Sequence, residues 1–264
     1  MVKDFENTGY WALILGGSSG LGLASAKKLA KHGMNICIIH RNPRSEMASI
    51  QADFDQMRLD GIEMLHFNAD ALHSERRMEI LTEIKLKLGN DGTIRCLLHS
   101  IAKGNLKPMV DHTQTLTNDD FLITLDAMAV SLFDWTKEVS TAGLFSKDAR
   151  IISFTSEGSS KAWKNYGAVS AAKAALEAIS RNIALEYAPY GIRSNCIQAG
   201  VTNTQSLRMI PNSEKIIQLS QHRNPYKRLT TPEDVANVVY LLCKDEAAWI
   251  NGTVIQVNGG EHLQ

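Results

Sequence analysis

Tyr166 and Lys173 stand seven residues apart in an alanine-rich segment, and their side chains are suited to proton chemistry. An α-helix makes about 3.6 residues per turn, so seven residues return the chain to nearly the same face about 10 Å further along. The phenol and the ammonium would then face one cleft, where the cation would favour phenolate and help the tyrosine donate a proton near neutral pH. Solvated Tyr/Lys pairs are common on helix surfaces, so the pair needs support from the elements around it.

A short apolar run at residues 11–15 precedes a glycine-rich turn, and small and apolar residues at helical spacing follow the turn. Gly16, Gly20 and Gly22 have the spacing G-x-x-x-G-x-G. At a strand-to-helix turn, glycines let the backbone approach a pyrophosphate, which the helix N-terminus then binds. The alternative is a flexible turn without a ligand, but the strand before it and the helix after it favour a nucleotide site.

Apolar runs alternate with helix-length segments along the chain, and the runs are typical of buried parallel strands. Strands are predicted at residues 11–16, 35–39, 62–67, 94–99, 149–155, 192–197 and 253–257. The segments between them are long enough for right-handed crossovers. This pattern predicts a single α/β domain over residues 1–264, with a doubly wound (Rossmann) sheet of seven parallel strands flanked by helices. Ligands of such sheets bind at the carboxyl ends of the strands.

The composition excludes several classes of function. Lys+Arg and Asp+Glu are equal at 28 each, so no field of one sign indicates nucleic acid or an anionic membrane. We find no apolar run of about 18 or more residues and no charged-then-apolar leader. The four cysteines are far apart and lack zinc-ligand spacing, so we expect no metal site and a reduced, cytoplasmic location.

Taken together, the Tyr166/Lys173 pair and the glycine turn resemble the short-chain dehydrogenase/reductase family. Residues 68–71 (Asn-Ala-Asp-Ala) match its adenine-binding stretch, residues 195–204 its loop around the nicotinamide carboxamide, and residues 251–260 its last strand and closing turn. The resemblance implies a cofactor site made of Gly16, Ser18, Ser19, Gly20, Leu21, Gly22, Asp70, Ala71, Ser100, Ile101, Ala102, Lys173, Ala199, Gly200, Val201 and Thr204.

Departures from the common form of the family point to one branch of it. Most members place tyrosine and lysine four apart, but Val169 is four residues before Lys173 here. A His-Ser-Ile-Ala run at residues 99–102 replaces the usual Asn-Asn-Ala-Gly, and Met128 stands where a helical asparagine is usual. The wide spacing and the His-Ser-Ile run resemble the enoyl-acyl-carrier-protein reductases of fatty-acid synthesis, and residues 151–173 resemble their NADPH-dependent bacterial form.

The end of the second strand predicts which cofactor is bound. An acidic residue there would bind the adenine ribose of NAD and repel a 2′-phosphate, but none occurs between Asn35 and Ser45. His40, Arg41 and Arg44 stand there instead, and arginines suit a phosphate, so NADPH is favoured over NADH. The alternative is that both arginines are solvated surface residues.

The resemblance implies reduction of a 2-enoyl thioester, in which hydride goes to the β-carbon and Tyr166 stabilises the enolate oxygen. Lys173 would hold the cofactor ribose. Ser156 is assigned to the catalytic group because many enoyl reductases carry a second tyrosine at that position, although the identity of a second donor stays open. The alternatives are a carbonyl or 3-oxoacyl reductase, a 2,4-dienoyl-CoA reductase, and a non-catalytic NADPH-binding regulator.

Two further segments suggest partners. Residues 200–230 are polar and basic, and by resemblance they form a substrate lid that could meet an acidic acyl carrier protein or a CoA phosphate. A solvated face is the alternative. The alanine-rich helix predicted at residues 166–188 forms, in relatives, the main subunit contact of a tetramer, so a homotetramer is expected.

Overall fold

The computed structural model describes residues 3–210 and 213–264, and in this part of the chain seven strands form one sheet. The strands are β1 Tyr10–Leu15, β2 Asn35–His40, β3 Met64–Asn68, β4 Thr93–His99, β5 Phe145–Thr155, β6 Ile192–Ala199 and β7 Val254–Val257. Their order across the sheet is β3-β2-β1-β4-β5-β6-β7, and every neighbouring pair is parallel. The predicted doubly wound sheet is confirmed.

Helices connect the strands and cover both faces of the sheet. They are α1 Gly20–Lys31, α2 Met47–Arg58, α3 Ser74–Leu88, α4 Asn118–Leu125, α5 Ser131–Thr141, α6 Gly167–Glu186, α7 Gln205–Arg208, α8 Ser213–Arg223 and α9 Pro232–Cys243. A π-helical turn at Asp126–Val130 joins α4 to α5. Thr117 and Thr231 begin α4 and α9 with capping boxes, which satisfy backbone groups that the first helical turn leaves unpaired.

The core has two layers because successive side chains of a strand point to opposite faces. Ile14 of β1 packs with Val239 of α9 on one face, whereas Leu13 packs with Leu176 of α6 on the other. Helices α1, α2 and α9 cover the first face, and α3, α5 and α6 cover the second. Burial on both faces explains why the strands are continuously apolar instead of alternating.

Most predicted strand boundaries agree with the structure to within two residues, and β5 is the exception. It begins at Phe145 instead of residue 149. Phe145 pairs with Ile94 of β4, and the register then shifts before Cys96 pairs with Arg150. This irregularity and the polar residues after Phe145 hide the start of the strand. The helix predicted at residues 166–188 begins at Gly167 and ends at Glu186, so Tyr166 precedes it.

No helix in residues 3–210 or 213–264 is long and apolar enough to cross a membrane. Over the same residues, the His, Cys, Asp and Glu side chains form no group of three that could hold a metal ion. All four cysteines are buried free thiols.

Candidate active site

The glycine turn lies where the strand order reverses, because β1 pairs with β2 on one side and with β4 on the other. Gly16 has φ +85°, and a Cβ on it would lie 2.6 Å from the carbonyl oxygen of Ser100, which follows β4. A Cβ on Gly22 would lie 2.2 Å from the Gly16 oxygen. The turn therefore requires glycine and leaves a cradle that fits a pyrophosphate. Ser19 does not cap α1 with its side chain, so the N-terminus of this helix is suited to bind an anion.

The end of β2 brings together residues that were predicted for two parts of the nucleotide. Arg41, proposed for a 2′-phosphate, donates from Nη1 to Oδ2 of Asp70, proposed for the adenine, at 2.8 Å. Asp70 also accepts a hydrogen bond from the backbone N–H of Leu72. Arg44 is exposed and opens a short 3-10 turn. The Arg41–Asp70 pair is exposed, so it contributes little to stability and can rearrange around a phosphate.

Tyr166 and Ser156 face each other across a turn after β5. A Cβ on Gly158 would lie 2.6 Å from Cε1 of Tyr166 and 3.3 Å from Oγ of Ser156, so only glycine leaves room for the ring. Ser156 Oγ is buried and has no regular hydrogen-bond partner in the described part of the chain. Burial raises the pKa of the Tyr166 phenol, and the neighbouring Ser156 hydroxyl opposes that rise.

Lys173 points toward the end of β5 and not toward the phenol. Its Nζ donates to the carbonyl oxygen of Phe154 at 2.6 Å, and the side chain is buried. Burial lowers the pKa of Lys173 to about 8, while Cys196 and Glu177 partly offset this effect. The expectation that Lys173 would lower the pKa of Tyr166 is wrong for this structure, because burial of the phenol dominates.

Glu177 connects the same helix to the end of β5, and it was not predicted from the sequence. It lies one turn after Lys173 and accepts a hydrogen bond from Thr155 Oγ1 at 2.6 Å. Lys173 and Glu177 thus hold the consecutive residues Phe154 and Thr155, directly before Ser156. This clamp fixes the position of Ser156 relative to α6.

Met128 and His99 have packing roles. Met128 lies in the π-helical turn and packs against Val169 and Ala172 of α6. His99 is buried, and its Nε2 lies 2.8 Å from Oγ of Ser131. Burial lowers the pKa of His99 to about 3, so the ring is neutral at physiological pH.

A cleft of about 460 Å³ opens at the carboxyl ends of the strands. Eight predicted site residues line it, namely Leu21, Ala102, Ser156, Tyr166, Ala199, Gly200, Val201 and Thr204. The other predicted residues lie outside its lining, namely Gly16, Ser18, Ser19, Gly20, Gly22, Arg41, Arg44, Asp70, Ala71, Ser100, Ile101 and Lys173. Lys173 lies in α6, and the others follow the ends of β1 to β4. The predicted residues therefore form two main groups, one that lines the cleft and one at the strand ends beside it.

Several residues that the sequence analysis did not assign to the site also line the cleft. Leu106, Met128, Trp163 and Val169 form an apolar part of the wall, and Glu261 contributes a carboxylate. The nearest signal for Glu261 was the closing Asn-Gly-Gly turn that precedes it. Nothing in its own spacing suggested a site.

The predicted lid carries one wall of the cleft. Leu207 in α7 and Ile216 in α8 line it, whereas residues 211–212 lie outside the described residues. Two of its basic residues are already paired within the chain. Arg223 binds Glu157 at 2.8 Å and Arg228 binds Asp234 at 2.6 Å. Lys215 lines the cleft instead.

Comparison with known proteins agrees with this geometry. The family model described as "Enoyl-(Acyl carrier protein) reductase" matches residues 16–262. Protein FixR of Bradyrhizobium diazoefficiens is 30% identical over 95% of this chain and 86% of its own. The NADH-type enoyl-acyl-carrier-protein reductase FabI of Enterococcus faecalis is 28% identical over 90% of each chain.

Among solved structures, the Bacillus cereus enoyl-acyl carrier protein reductase with NADP⁺ and an indole naphthyridinone has a TM-score of 0.88 and 25% identity. The match covers 100% of this chain and 99% of that one. The chain belongs to the short-chain dehydrogenase/reductase family, in the divergent branch that the enoyl-(acyl carrier protein) reductase model describes. It is an oxidoreductase of this family with a nicotinamide cofactor site.

Proposed function

We propose that the protein reduces the carbon-carbon double bond of a 2-enoyl thioester with NADPH. The observation that carries this proposal is the position of Tyr166, which lies outside α6, in an apolar cleft, seven residues before Lys173. From there the phenol reaches an oxygen that two carbon atoms separate from the carbon that receives hydride, as conjugate reduction requires. The apolar wall around Leu106, Met128 and Trp163 suits an acyl chain.

When bound, the reduced nicotinamide supplies the hydride, whose electron pair forms the new bond at the β-carbon of the substrate. Tyr166 donates a hydrogen bond to the thioester oxygen, where the displaced π electrons collect as an enolate. A proton from solvent then adds to the α-carbon and completes the saturated thioester. Ser156 is near enough to share the oxygen with Tyr166, and Lys173 holds the cofactor ribose from the end of β5.

Residues after the strand ends would hold the rest of the cofactor. The N-terminus of α1 binds the pyrophosphate, and Asp70 and Ala71 flank the adenine. We propose NADPH over NADH because His40, Arg41 and Arg44 follow β2 without an acidic residue among them. Binding of a 2′-phosphate would draw Arg41 away from Asp70. The Enterococcus relative is named for NADH, whereas the Bacillus structure contains NADP⁺. The relatives therefore do not decide between the two cofactors, and the proposal depends on the residues after β2.

The test is a paired assay of the wild-type protein. Purified protein is given a 2-enoyl thioester or, separately, a 3-oxoacyl thioester, each as the acyl-carrier and the CoA form and each with NADPH and with NADH. We expect turnover of the enoyl substrate with NADPH. Turnover of the 3-oxoacyl thioester alone would contradict the enoyl assignment.

A second candidate function is carbonyl reduction, and the Ser156–Tyr166 arrangement is the observation that favours it. Two hydroxyls at one place can bind a single carbonyl oxygen, as a ketone reductase needs. The 3-oxoacyl arm of the assay tests this candidate directly.

We also propose that the protein is a homotetramer. Apolar side chains are exposed on α4 to α6, including Leu122 at 56%, Phe133 at 42% and Leu185 at 74%. They lie on the helix for which relatives predict the main subunit contact and on the two helices before it, which favours an interface there. Light scattering on the purified chain tests the proposal, and a monomer would contradict it.

A further inference from the structure

Glu261 is a buried acid at the inner end of the cleft. It follows Gly260, which has φ +80°, in the turn after β7, and its residue is 3% exposed. Its Oε2 accepts a hydrogen bond from the backbone N–H of Val201 at 3.3 Å. Its Oε1 is buried and has no partner in residues 3–210 and 213–264. One carboxylate oxygen at the cleft is therefore held, and the other is left without a donor.

The Glu261 carboxylate also forms no ion pair with any basic side chain that the structure describes. Glu157, the other acidic residue of the lining, is paired with Arg223 and with Lys161. Arg223 reaches Glu261 only at the backbone oxygen, at 3.2 Å. Within the described ranges, no ion pair joins the Glu261 carboxylate to a basic side chain. A buried carboxylate without a cation or a second donor is costly, so this arrangement indicates a partner supplied by a ligand.

The position of the carboxylate identifies that partner. The cleft extends from Leu21, at the glycine turn, to Tyr166, so a dinucleotide bound at α1 places its reactive ring in the cleft. Val201, which donates to Glu261, lies in the loop after β6 that the family resemblance assigns to the nicotinamide carboxamide. The nicotinamide carboxamide carries two N–H donors. Its ring is neutral when reduced and carries a positive charge when oxidised.

We propose that Glu261 is a cofactor-binding residue, whose carboxylate accepts a hydrogen bond from the carboxamide and binds the oxidised ring more tightly than the reduced ring. This inference rests on the proposed reductase function. When the ring gives up hydride, the electron pair leaves with the hydrogen for the substrate carbon, and the ring is left with one positive charge. Glu261 stabilises that charge as it develops, so the residue favours hydride donation.

The experiment compares the full-length wild type with Glu261→Gln, which keeps the size of the side chain and removes its charge. Dissociation constants for NADP⁺ and NADPH are measured by titration calorimetry without substrate. We expect NADP⁺ to bind about tenfold more weakly to the variant, and NADPH to change by less than about twofold. Glu246→Gln is the matched control, because Glu246 is an exposed glutamate outside the cleft. Glu261→Asp, which keeps the charge, should preserve the difference between the nucleotides.

Equal weakening of both nucleotides by Glu261→Gln, or no change in either, overturns the proposal. If that variant does not fold, the wild type is titrated with the 3-acetylpyridine analogue of NADP⁺, which lacks the carboxamide N–H groups. The analogue should bind about fivefold more weakly than NADP⁺, and equal affinity overturns the proposal. If the wild type does not reduce enoyl thioesters but Glu261→Gln still weakens NADP⁺ binding selectively, the proposed reaction is wrong. The role proposed for Glu261 is then still supported.

Discussion

Tyr166 lies directly before α6, with its ring over Gly158 and its hydroxyl beside Ser156. If Tyr166 donates to the substrate oxygen as proposed, Tyr166→Phe should lower kcat about a hundredfold, since it removes one hydrogen bond to the developing enolate. NADPH affinity should stay within about twofold, because the ring remains. Steady-state rates and nucleotide titration measure the two effects. A variant that retains full turnover would show that another group holds the oxygen. If a Tyr166→Phe protein that has lost turnover but still binds NADPH keeps a cellular role, that role is regulatory.

Lys173 and Glu177 lead to a prediction about pH. In the proposed mechanism the Lys173 ammonium must be protonated to bind the ribose. Its pKa is about 8, because burial lowers it while Cys196 and Glu177 partly offset that effect. Binding that depends on this charge is complete below the pKa and is lost as pH rises through it. Glu177→Gln removes one charge that favours the ammonium, so the alkaline loss of NADPH binding should move to lower pH. At pH 8 we expect roughly two- to fivefold weaker binding than in the wild type.

Thr155→Val is the control for that variant. It removes the hydrogen bond to Glu177 but leaves the carboxylate charge in place. NADPH affinity should therefore fall at the same alkaline pH as in the wild type. Titrations of both variants from pH 6 to pH 10 separate the charge of Glu177 from its packing role. If Glu177→Gln loses NADPH affinity at the same alkaline pH as the wild type, the electrostatic explanation is wrong.

At the residue scale, sequence spacing indicated Tyr166, Lys173 and Ser156 but did not show how they would be oriented. Lys173 turned out to donate to the carbonyl oxygen of Phe154. Glu177 and Glu261 escaped prediction for different reasons. A glutamate on an alanine-rich helix has no distinctive spacing, and Glu261 approaches the cleft only because β7 lies beside β6.

The element that depends most strictly on its sequence is the turn between β1 and α1. Gly22→Ala should weaken NADPH binding by more than about tenfold, because the new Cβ would overlap the Gly16 oxygen and force the turn open. Gly89→Ala is the matched control. Gly89 also has a positive φ, +60°, but nothing lies within 4 Å of an added Cβ. It should lose stability from backbone strain without losing nucleotide affinity, as thermal melting and titration of both variants will show.

The strands were predictable as elements because each is a continuous apolar run, buried on both faces. What hid the start of β5 was the polar stretch between Phe145 and Ala149, where Asp148 binds arginines from three strands. The π-helical turn at Asp126–Val130 also had no sequence signal, since its five residues are ordinary helix formers. Sequence periodicity indicates which residues are buried. It therefore misses local irregularities within an element, such as the start of β5 and the π-helical turn.

Across the whole molecule, one carboxylate joins the amino-terminal ends of three strands. Asp148 accepts hydrogen bonds from Arg95 of β4 at 2.7 Å, from Arg150 of β5 and from Arg193 of β6. Arg95 and Arg150 are each only 1% exposed. Although burial opposes ionisation, Arg150 and Arg95 lower the pKa of Asp148 to about 2. This cluster lies at the end of the sheet opposite the cleft.

Asp148→Asn should lower the free energy of unfolding by about 2 kcal/mol at pH 7, since it leaves buried arginines without their counter-charge, while partial exposure of the carboxylate limits the loss. The lowered pKa means that the wild-type carboxylate stabilises the fold above its ordinary pKa of 3.8 and loses that contribution as pH falls toward about 2. The difference in free energy of unfolding between wild type and variant should therefore shrink as pH falls from 3.8 toward about 2. Urea unfolding from pH 7 to pH 2 measures it. Asp245→Asn, which removes an exposed partner of Arg95, should cost much less.

The attachment of the lid has a consequence for how a substrate arrives. Arg223 and Asn224, at the C-terminal end of α8, are bound to Glu157 and to the backbone of Asn258. Because the C-terminal end of α8 is bound beside Ser156, we expect the entrance of the cleft to widen at the opposite end of this helix, near Met209 and Lys215. An acyl thioester of the proposed kind would enter from that side, with its carrier outside the cleft next to Lys215.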